Sequence, residues 1–227
     1  MKEKVSVKAK AHIRYKLADG TRVPGVTTLT SQLGWSREAL VNWANRLGLE
    51  GVNCRQYKDD KADIGTLAHA MVVAHLRKEE VDTSDYSKNQ IDQADNSFLS
   101  FLEWEKNHPI TELILTETPL VSEKLRFGGT ADIYGVVNGG KRTLIDLKTG
   151  NGIYLEMKIQ VCAYEQLLIE NGYPVDEVWI LNIPRSEDES FIEELVGKKE
   201  DYFEVFLHCI GLYNLQKKLK GGNKWKS

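Results

Sequence analysis

The stretch that most constrains this chain runs from Phe127 to Lys148, FGGTADIYGVVNGGKRTLIDLK. Two apolar runs, Ala131 to Val137 and Thr143 to Leu147, flank Asn138-Gly139-Gly140. These residue types tolerate the positive φ of a tight turn, so the stretch predicts a β-hairpin. If Asn138, Gly139 and Gly140 alone form the loop, Asp132 falls opposite Asp146; other loop lengths move the pairing along the strand. Side chains alternate along a strand, so Asp146 and Lys148 share a face while Ile145 and Leu147 turn the other way into apolar packing. Two carboxylates and an ammonium then meet on one patch.

Carboxylates held a few Å apart repel, and one takes up a proton unless a cation sits between them. Mg²⁺ suits that place, since it takes oxygen ligands, keeps several waters and is usually held by one or two carboxylates plus substrate phosphate. Lys148 adds a charge able to face a scissile phosphate or the attacking water. A bare Asp-x-Lys is most often an ordinary exposed ion pair on a surface hairpin, so the remainder of the chain decides between the two readings.

Taken in order, His12 to Val26 reads as a second hairpin, turning at Ala18-Asp19-Gly20 and ending at Pro24. Ser36 is placed to cap a helix over Arg37 to Leu47, with Leu40, Trp43, Ala44 and Leu47 on one face and Gly48 and Gly51 closing it. Trp35 and Trp43 suit base stacking or packing, and the place of Trp43 in the apolar stripe favours packing. Residues 1–60 are thus expected to form a hairpin-and-helix appendage, and residues 61–227 the core with a C-terminal helix and basic tail, together one compact domain.

Asp63 to Lys78 has the strongest helical period, with Ile64, Leu67, Ala68, Met71, Val72 and His75 in one stripe. His69 lies at its edge, one turn after Gly65, whose missing side chain leaves room for another element beside the imidazole. A lone helical histidine is more often packed or solvent-facing than a ligand. A second helix, Asn89 to Asn107, is expected to bury Ile91, Phe98, Leu99 and Leu102. The strand Thr111 to Val121 then places Leu113, Leu115 and Glu117 on one face, so that Glu117 is either a third acid or an edge-strand charge that blocks aggregation.

Beyond the central hairpin, a helix over Leu155 to Asn171 carries Ile159, Val161, Ala163, Leu167 and Leu168 in or near its stripe. Gln160 and Tyr164 lie together on the adjoining face, with Glu156 one turn earlier. Asp176 to Ile183 reads as a buried strand, Arg185 to Gly197 as an acidic connection, and Lys198 to Leu219 as an amphipathic helix with Phe203, Phe206, Leu207, Ile210 and Tyr213 inward.

With 41% hydrophobic and 28% charged residues the chain has the balance of a soluble globular protein, which excludes wholesale disorder. No apolar run reaches the ~20 residues of a membrane span, and the start lacks a secretory apolar segment, so a cytoplasmic setting is expected. Cys54, Cys162 and Cys209 are too scattered for a disulfide framework or zinc spacing and are expected to be buried or partly buried thiols. Net charge is −3, but both ends are basic: Lys2, Lys4, Lys8, Lys10, Arg14 and Lys16 at one, Lys217, Lys218, Lys220, Lys224 and Lys226 at the other. Such ends suit a phosphate-tracking surface and equally a solubilising one.

Gly65-Thr66-x-x-His69, Glu117, Gly129-x-x-Asp132, Asp146-Leu147-Lys148 and Gln160-x-x-x-Tyr164 occur in one order. That order resembles the RecB-like branch of the PD-(D/E)XK nuclease superfamily, especially phage-type and mitochondrial single-strand DNA exonucleases. Val23-Pro24-Gly25-Val26-Thr27-Thr28-Leu29 and the helix around Trp43 are similar too. The resemblance implies an α/β restriction-endonuclease-like core, a central mixed sheet flanked by helices, with the N-terminal hairpin and helix as an extension. It implies Asp132, Asp146, the main-chain carbonyl of Leu147 and His69 as metal ligands, Glu117 at a second ion or its water, and Mg²⁺ or Mn²⁺ as cofactor. Lys148 would orient the attacking water, and Gln160 with Tyr164 would complete the site. Asp146 stands where glutamate is commoner, and the four-cysteine iron–sulfur clamp of some relatives is absent.

A metal-dependent DNA exonuclease acting on ends or single strands is the resulting expectation, in phage or bacterial replication, recombination or repair and in the cytoplasm of such a host. A recombination or replication protein is a candidate partner, while no membrane is expected and oligomeric state is open. A structure-specific endonuclease of the same fold and a non-catalytic nucleic-acid-binding module are the alternatives. No phosphate loop of the G-x-x-x-x-G-K-[ST] type occurs, so ATP hydrolysis is not expected.

Overall fold

The computed structural model describes residues 4–6 and 13–222. Its centre is a mixed five-stranded sheet of order β3-β4-β5-β6-β7, formed by β3 (Ile110–Ser122), β4 (Phe127–Val137), β5 (Lys141–Lys148), β6 (Glu177–Asn182) and β7 (Ile192–Leu195). Adjacent pairs are antiparallel except β5 and β6, which run parallel and therefore need a crossover. That crossover is α5 (Leu155–Glu170). A separate two-stranded parallel pair joins β1 (Lys4–Ser6) to β2 (Glu80–Asp82).

Helices cover both faces, which is why the central strands are almost continuously buried. On one face α1 (Val26–Thr30), α5 and α6 (Lys199–Gly222) pack over Phe127, Tyr134, Leu144, Val178 and Ile180. On the other, α3 (Cys54–Arg77) and α4 (Lys88–Asn107) pack over Ile133, Val137, Ile145, Leu147 and Leu181. Ile145 and Leu147 thus point away from the side taken by Leu144, as strand alternation requires. The hairpin has the short loop: Ile133 pairs with Ile145 and Val137 with Lys141, leaving Asn138, Gly139 and Gly140 as the connection. Asn138 at φ +52° and Gly139 at φ +71° take the left-handed conformations that the turn needs.

The N-terminal segment forms a tight turn, Gly20 N–H to Leu17 carbonyl at 2.9 Å, with a single bridge between Lys16 and Arg22. His12 lies outside the described residues, as do Lys2, Lys8, Lys10, Lys224 and Lys226. Helix α2 (Arg37–Leu49) follows, but the Ser36 side chain makes no capping hydrogen bond and Leu40 is exposed; Leu47 alone of the expected stripe is buried, with Trp43 half-buried against the edge of Tyr57.

Other expectations needed correction. Helix α3 starts nine positions earlier than its apolar period, because Asn53 caps it by accepting from the N–H groups of Arg55 and Gln56. His75 is exposed and bonds Glu105 at 2.8 Å instead of joining the stripe. Helix α4 buries Ala94, Ser97, Phe101 and Trp104, so Leu99 faces out and Ile91, Phe98 and Leu102 are half-buried. The acidic connection contains strand β7, and on α6 Cys209 is buried while Leu207 is exposed. Cys162 and Cys209 are buried, and Cys54 is partly so. Burial pushes the Cys162 thiol up to about 12, which leaves it unreactive near neutral pH.

Candidate active site

The parallel strand β5 ends at Lys148, between α3 on one side of the sheet and α5 on the other. Beyond Ile133 and Ile145 the next rung of the β4–β5 register holds Asp132 and Asp146. The β3–β4 register has Thr116 opposite Ile133 and Thr118 opposite Ala131, which puts Glu117 across from Asp132. Glu117, Asp132 and Asp146 therefore occupy one row across three neighbouring strands.

That row departs from regular sheet at each position. Asp132 takes the Leu147 N–H with its carboxylate, Oδ2 accepting at 2.9 Å, where a backbone carbonyl would otherwise extend the ladder. Glu117 has φ +46°, a left-handed conformation that a non-glycine residue adopts in mid-strand at a strain of about 1–3 kcal/mol. Bulges also break β3, so Leu113 packs with the α3–α4 cluster and Leu115 with the α5 cluster, not on a common face as alternation predicts. Arg77, the last residue of α3, holds the strained link: Nη2 donates to the Thr116 carbonyl at 3.1 Å and Nε to Thr116 Oγ1 at 2.8 Å. Nothing in the sequence pattern marks Arg77 for that task.

Asp146 is 1% exposed. Lys148 Nζ stands 2.5 Å from its Oδ2, a charge-assisted contact that is the partner of this buried oxygen. Burial pushes the Asp146 carboxyl up to about 6; Lys148 and His69 pull it down and Asp132 adds to the rise. Burial opposes the Lys148 ammonium, but the charges of Asp146 and Asp132 outweigh it and hold the lysine above its ordinary range.

Two glycines let the flanking helices close on this strand end. A Cβ on Gly65 of α3 would lie 2.6 Å from Thr149 Oγ1, immediately after Lys148, so only glycine permits the approach that sets His69 Nδ1 3.7 Å from Asp132 Oδ2. A Cβ on Gly129 would lie 2.7 Å from the Tyr164 ring. Tyr164 is buried, and Gln160 Nε2 donates to its hydroxyl at 2.7 Å. Burial, then the Asp146 charge, raises the phenol well above its usual range, so it remains a protonated donor. Asn182, opposite Lys148 in the β5–β6 register and fully buried, donates to the carbonyls of Gly150 and Ser190 and so ties down the loop after the lysine. Its signal was an asparagine at the end of an apolar run, which reads as a strand terminus unless the partners are known.

The donor set suits a hard divalent cation in kind: carboxylates, a strand carbonyl and an imidazole. A buried carboxylate beside a second carboxylate is an environment that a cation relieves, and Lys148 already supplies one positive charge to it. Among the described residues, however, no three His, Cys, Asp or Glu side chains already form a cluster that could hold an ion. The expected groups therefore come together only in part. His69 adjoins Asp132, Asp146 adjoins Lys148, Gln160 is bonded to Tyr164, and Glu117 joins the row two strands away from Asp146.

No known sequence family and no curated protein matches this chain. Solved structures similar to it include the following two. A "putative exonuclease" from Eubacterium rectale has 16% identity over 83% of this chain and 68% of its own, with a TM-score of 0.43. The protein SSO0001 has 17% identity over 64% of this chain and 73% of its own, with a TM-score of 0.33. At these scores the similarity settles neither family nor activity. No helix among the described residues is long and apolar enough to cross a membrane.

Proposed function

We propose that this chain is a divalent-metal-dependent deoxyribonuclease with a PD-(D/E)XK-type core, acting from DNA ends. The observation that carries the reading is Asp132 and Asp146 on adjacent strands, one residue beyond the last β4–β5 pair, with Lys148 held against the buried Asp146 carboxylate. A sheet built for stability alone has no use for such a row, because like charges directly opposite one another destabilise paired strands.

Asp132, Asp146, the Leu147 carbonyl and the His69 imidazole are the groups that would hold Mg²⁺ or Mn²⁺, with Glu117 at the far end of the row. When bound, such an ion neutralises charge at a phosphodiester and makes a water acidic enough to act as nucleophile near neutral pH. Leu147 is well placed for the task, since its N–H already binds Asp132 and a strand residue's own carbonyl points to the same side as its N–H, toward the β4 edge that carries Asp132. Lys148 keeps its proton and turns from Asp146 toward the attacking water or a non-bridging phosphate oxygen, offsetting charge as the phosphorane forms. Tyr164, kept protonated and oriented by Gln160, donates a hydrogen bond to the same phosphate. No protein nucleophile is needed.

End-labelled linear DNA and covalently closed circular DNA, each incubated with Mn²⁺ or Mg²⁺, test the reading. Linear DNA should be degraded and closed circles spared, with Asp132→Asn and Lys148→Ala each lowering the rate by about 10²-fold or more. Cutting of closed circles would establish an endonuclease instead. Equal degradation by wild type and both variants would overturn the assignment.

A further inference from the structure

Helix α6 carries apolar side chains on two sides, and the body covers one of them. On the covered side Phe206 and Cys209 are fully buried and Phe203, Ile210 and Tyr213 half-buried, with the Phe206 ring edge-on to Phe127 at 4.9 Å. On the other side Leu207 is 40% exposed, and Leu212, Leu215 and Leu219 are 53%, 58% and 70% exposed. Every residue from Asn214 to Gly221 is exposed, so about the last two turns stand clear of the body. Leu212, Leu215 and Leu219 follow i, i+3, i+7 spacing, which is the seam by which helices pair. A contiguous apolar patch of this kind marks an interaction surface, where a solvated face would carry polar residues.

Gly211 sits in the middle of that exposed side. A Cβ there would meet nothing within 4 Å, so no neighbour in this chain requires glycine, and glycine inside a helix weakens it relative to alanine. What glycine does permit is the close approach of a second backbone.

The residues on either side of Gly211 are complementary about it. Leu207 lies four positions before and Leu215 four after; Glu204 lies seven before and Lys218 seven after, on the same stripe as Gly211 because seven residues make two turns. Two copies of α6 laid antiparallel, Gly211 against Gly211, therefore bring Leu207 level with Leu215 of the other copy and Glu204 level with its Lys218. The two-fold axis makes each contact twice. Acids at the start of the helix, Glu200, Asp201 and Glu204, and lysines at its end, Lys217, Lys218 and Lys220, suit the dipole of any helix. Antiparallel pairing uses them again, since the acidic end of each copy meets the basic end of the other, whereas parallel pairing would set Lys218 on Lys218.

We infer that the outer face of α6 is a self-association surface, on which a second copy of this chain packs antiparallel about a two-fold axis at Gly211. The two bodies lie on the outer sides of the helix pair, because each α6 offers the face opposite its core. One helix face covers less than the ~800 Å² per partner of a standard interface, so the dimer is expected to exchange with monomer in the micromolar range.

The test reads mass and is independent of any activity. Sedimentation velocity of the full chain from about 1 to about 200 µM should show the 25.8 kDa species giving way to one of twice that mass. Leu215→Glu sets a carboxylate against Leu207 of the other copy and should weaken the dimer on the order of tenfold or more. Glu204→Lys and Lys218→Glu should each weaken it by setting like charges level, and an equimolar mixture of these two variants should regain wild-type affinity, since every level contact is then lysine with glutamate. All three residues are exposed, so an unchanged circular dichroism melt at low concentration confirms that the variants fold. A chain that stays monomeric at about 200 µM overturns the inference. So does a dimer that Leu215→Glu or the single charge changes leave intact, or a mixture no tighter than its members. A monomer that instead sediments with phosphatidylserine vesicles would assign the leucines and lysines to a lipid surface, which also overturns it.

Discussion

Gly65→Ala is the smallest change that tests how the site is assembled. The added Cβ would sit 2.6 Å from Thr149 Oγ1, roughly 0.9 Å inside the ~3.5 Å at which non-bonded heavy atoms pack best, with Thr149 Cβ at an ordinary 3.8 Å. Overpacking of this kind costs about 1–3 kcal/mol, whereas replacing glycine by alanine within a helix returns about 1 kcal/mol. The net expectation is a destabilisation of about 0–2 kcal/mol in urea. Function should suffer more than stability. Opening the α3–β5 contact by the same ~0.9 Å widens the 3.7 Å gap between His69 and Asp132, so that the two groups meet one ion at ordinary bond lengths only after rearrangement. Calorimetric Mn²⁺ affinity should therefore fall by about tenfold or more. Because the clash is with the hydroxyl alone, Thr149→Ala in the same protein should restore both properties, giving a coupling of about 1–2 kcal/mol between the two positions. The reasoning is refuted if Gly65→Ala is more stable by the full helix-propensity gain, binds Mn²⁺ as wild type does, and shows no coupling to Thr149→Ala.

Two further outcomes follow from the same row. The folded-state pKa of Asp146, about 6, lies above the ordinary 3.8, so the folded chain holds more protons than the unfolded one between these values; this group's contribution to metal-free stability falls as pH rises through the window. Divalent cations compete with that proton, so the Tm gain from Mn²⁺ should be small at pH 5 and large at pH 7.5, and an equal gain at both would refute burial as the cause. Arg77→Ala should cost about 1–3 kcal/mol by releasing the Thr116 carbonyl and hydroxyl, and Glu117→Gly should recover part of that loss because glycine holds φ +46° without strain; urea melts of the single and double variants decide it, simple additivity counting against the clamp.

The central hairpin was legible because everything that fixes it is local. Asn138-Gly139-Gly140 selects the turn, the turn selects the register, and the register puts Asp132 beside Asp146. Elements decided by distant partners were not legible. Ser97 looks like a surface residue of α4, yet it is buried and donates to the carbonyls of Ile183 and Pro184, which rotates the helix and leaves Leu99 outside. The acidic run Ile192 to Leu195 pairs with β6 as an edge strand, where one side needs no partner and glutamates are tolerated. The opening of α3 is too polar to show a period, and its cap, Asn53, is a single residue.

Several residues at the candidate site break local rules, as do others elsewhere in the fold, such as the left-handed Lys78, Arg126 and Lys198. Glu117 holds a left-handed backbone in mid-strand, Gly65 and Gly129 stand where side chains would collide, and Asp146 is a fully buried carboxylate. Each departure opposes stability by a different mechanism: backbone strain, loss of helix or strand propensity, and desolvation of a charge. Here the three acids share one row, and the two glycines admit the helices that flank it, α3 with His69 and α5 with Gln160 and Tyr164. A cation bound there would act on the desolvated carboxylate directly and, through the row, on the backbone that presents the others. The same ion should thus stabilise α3, β3 and β5 together, and protection of their amides from hydrogen exchange on adding Mn²⁺ should rise as one unit.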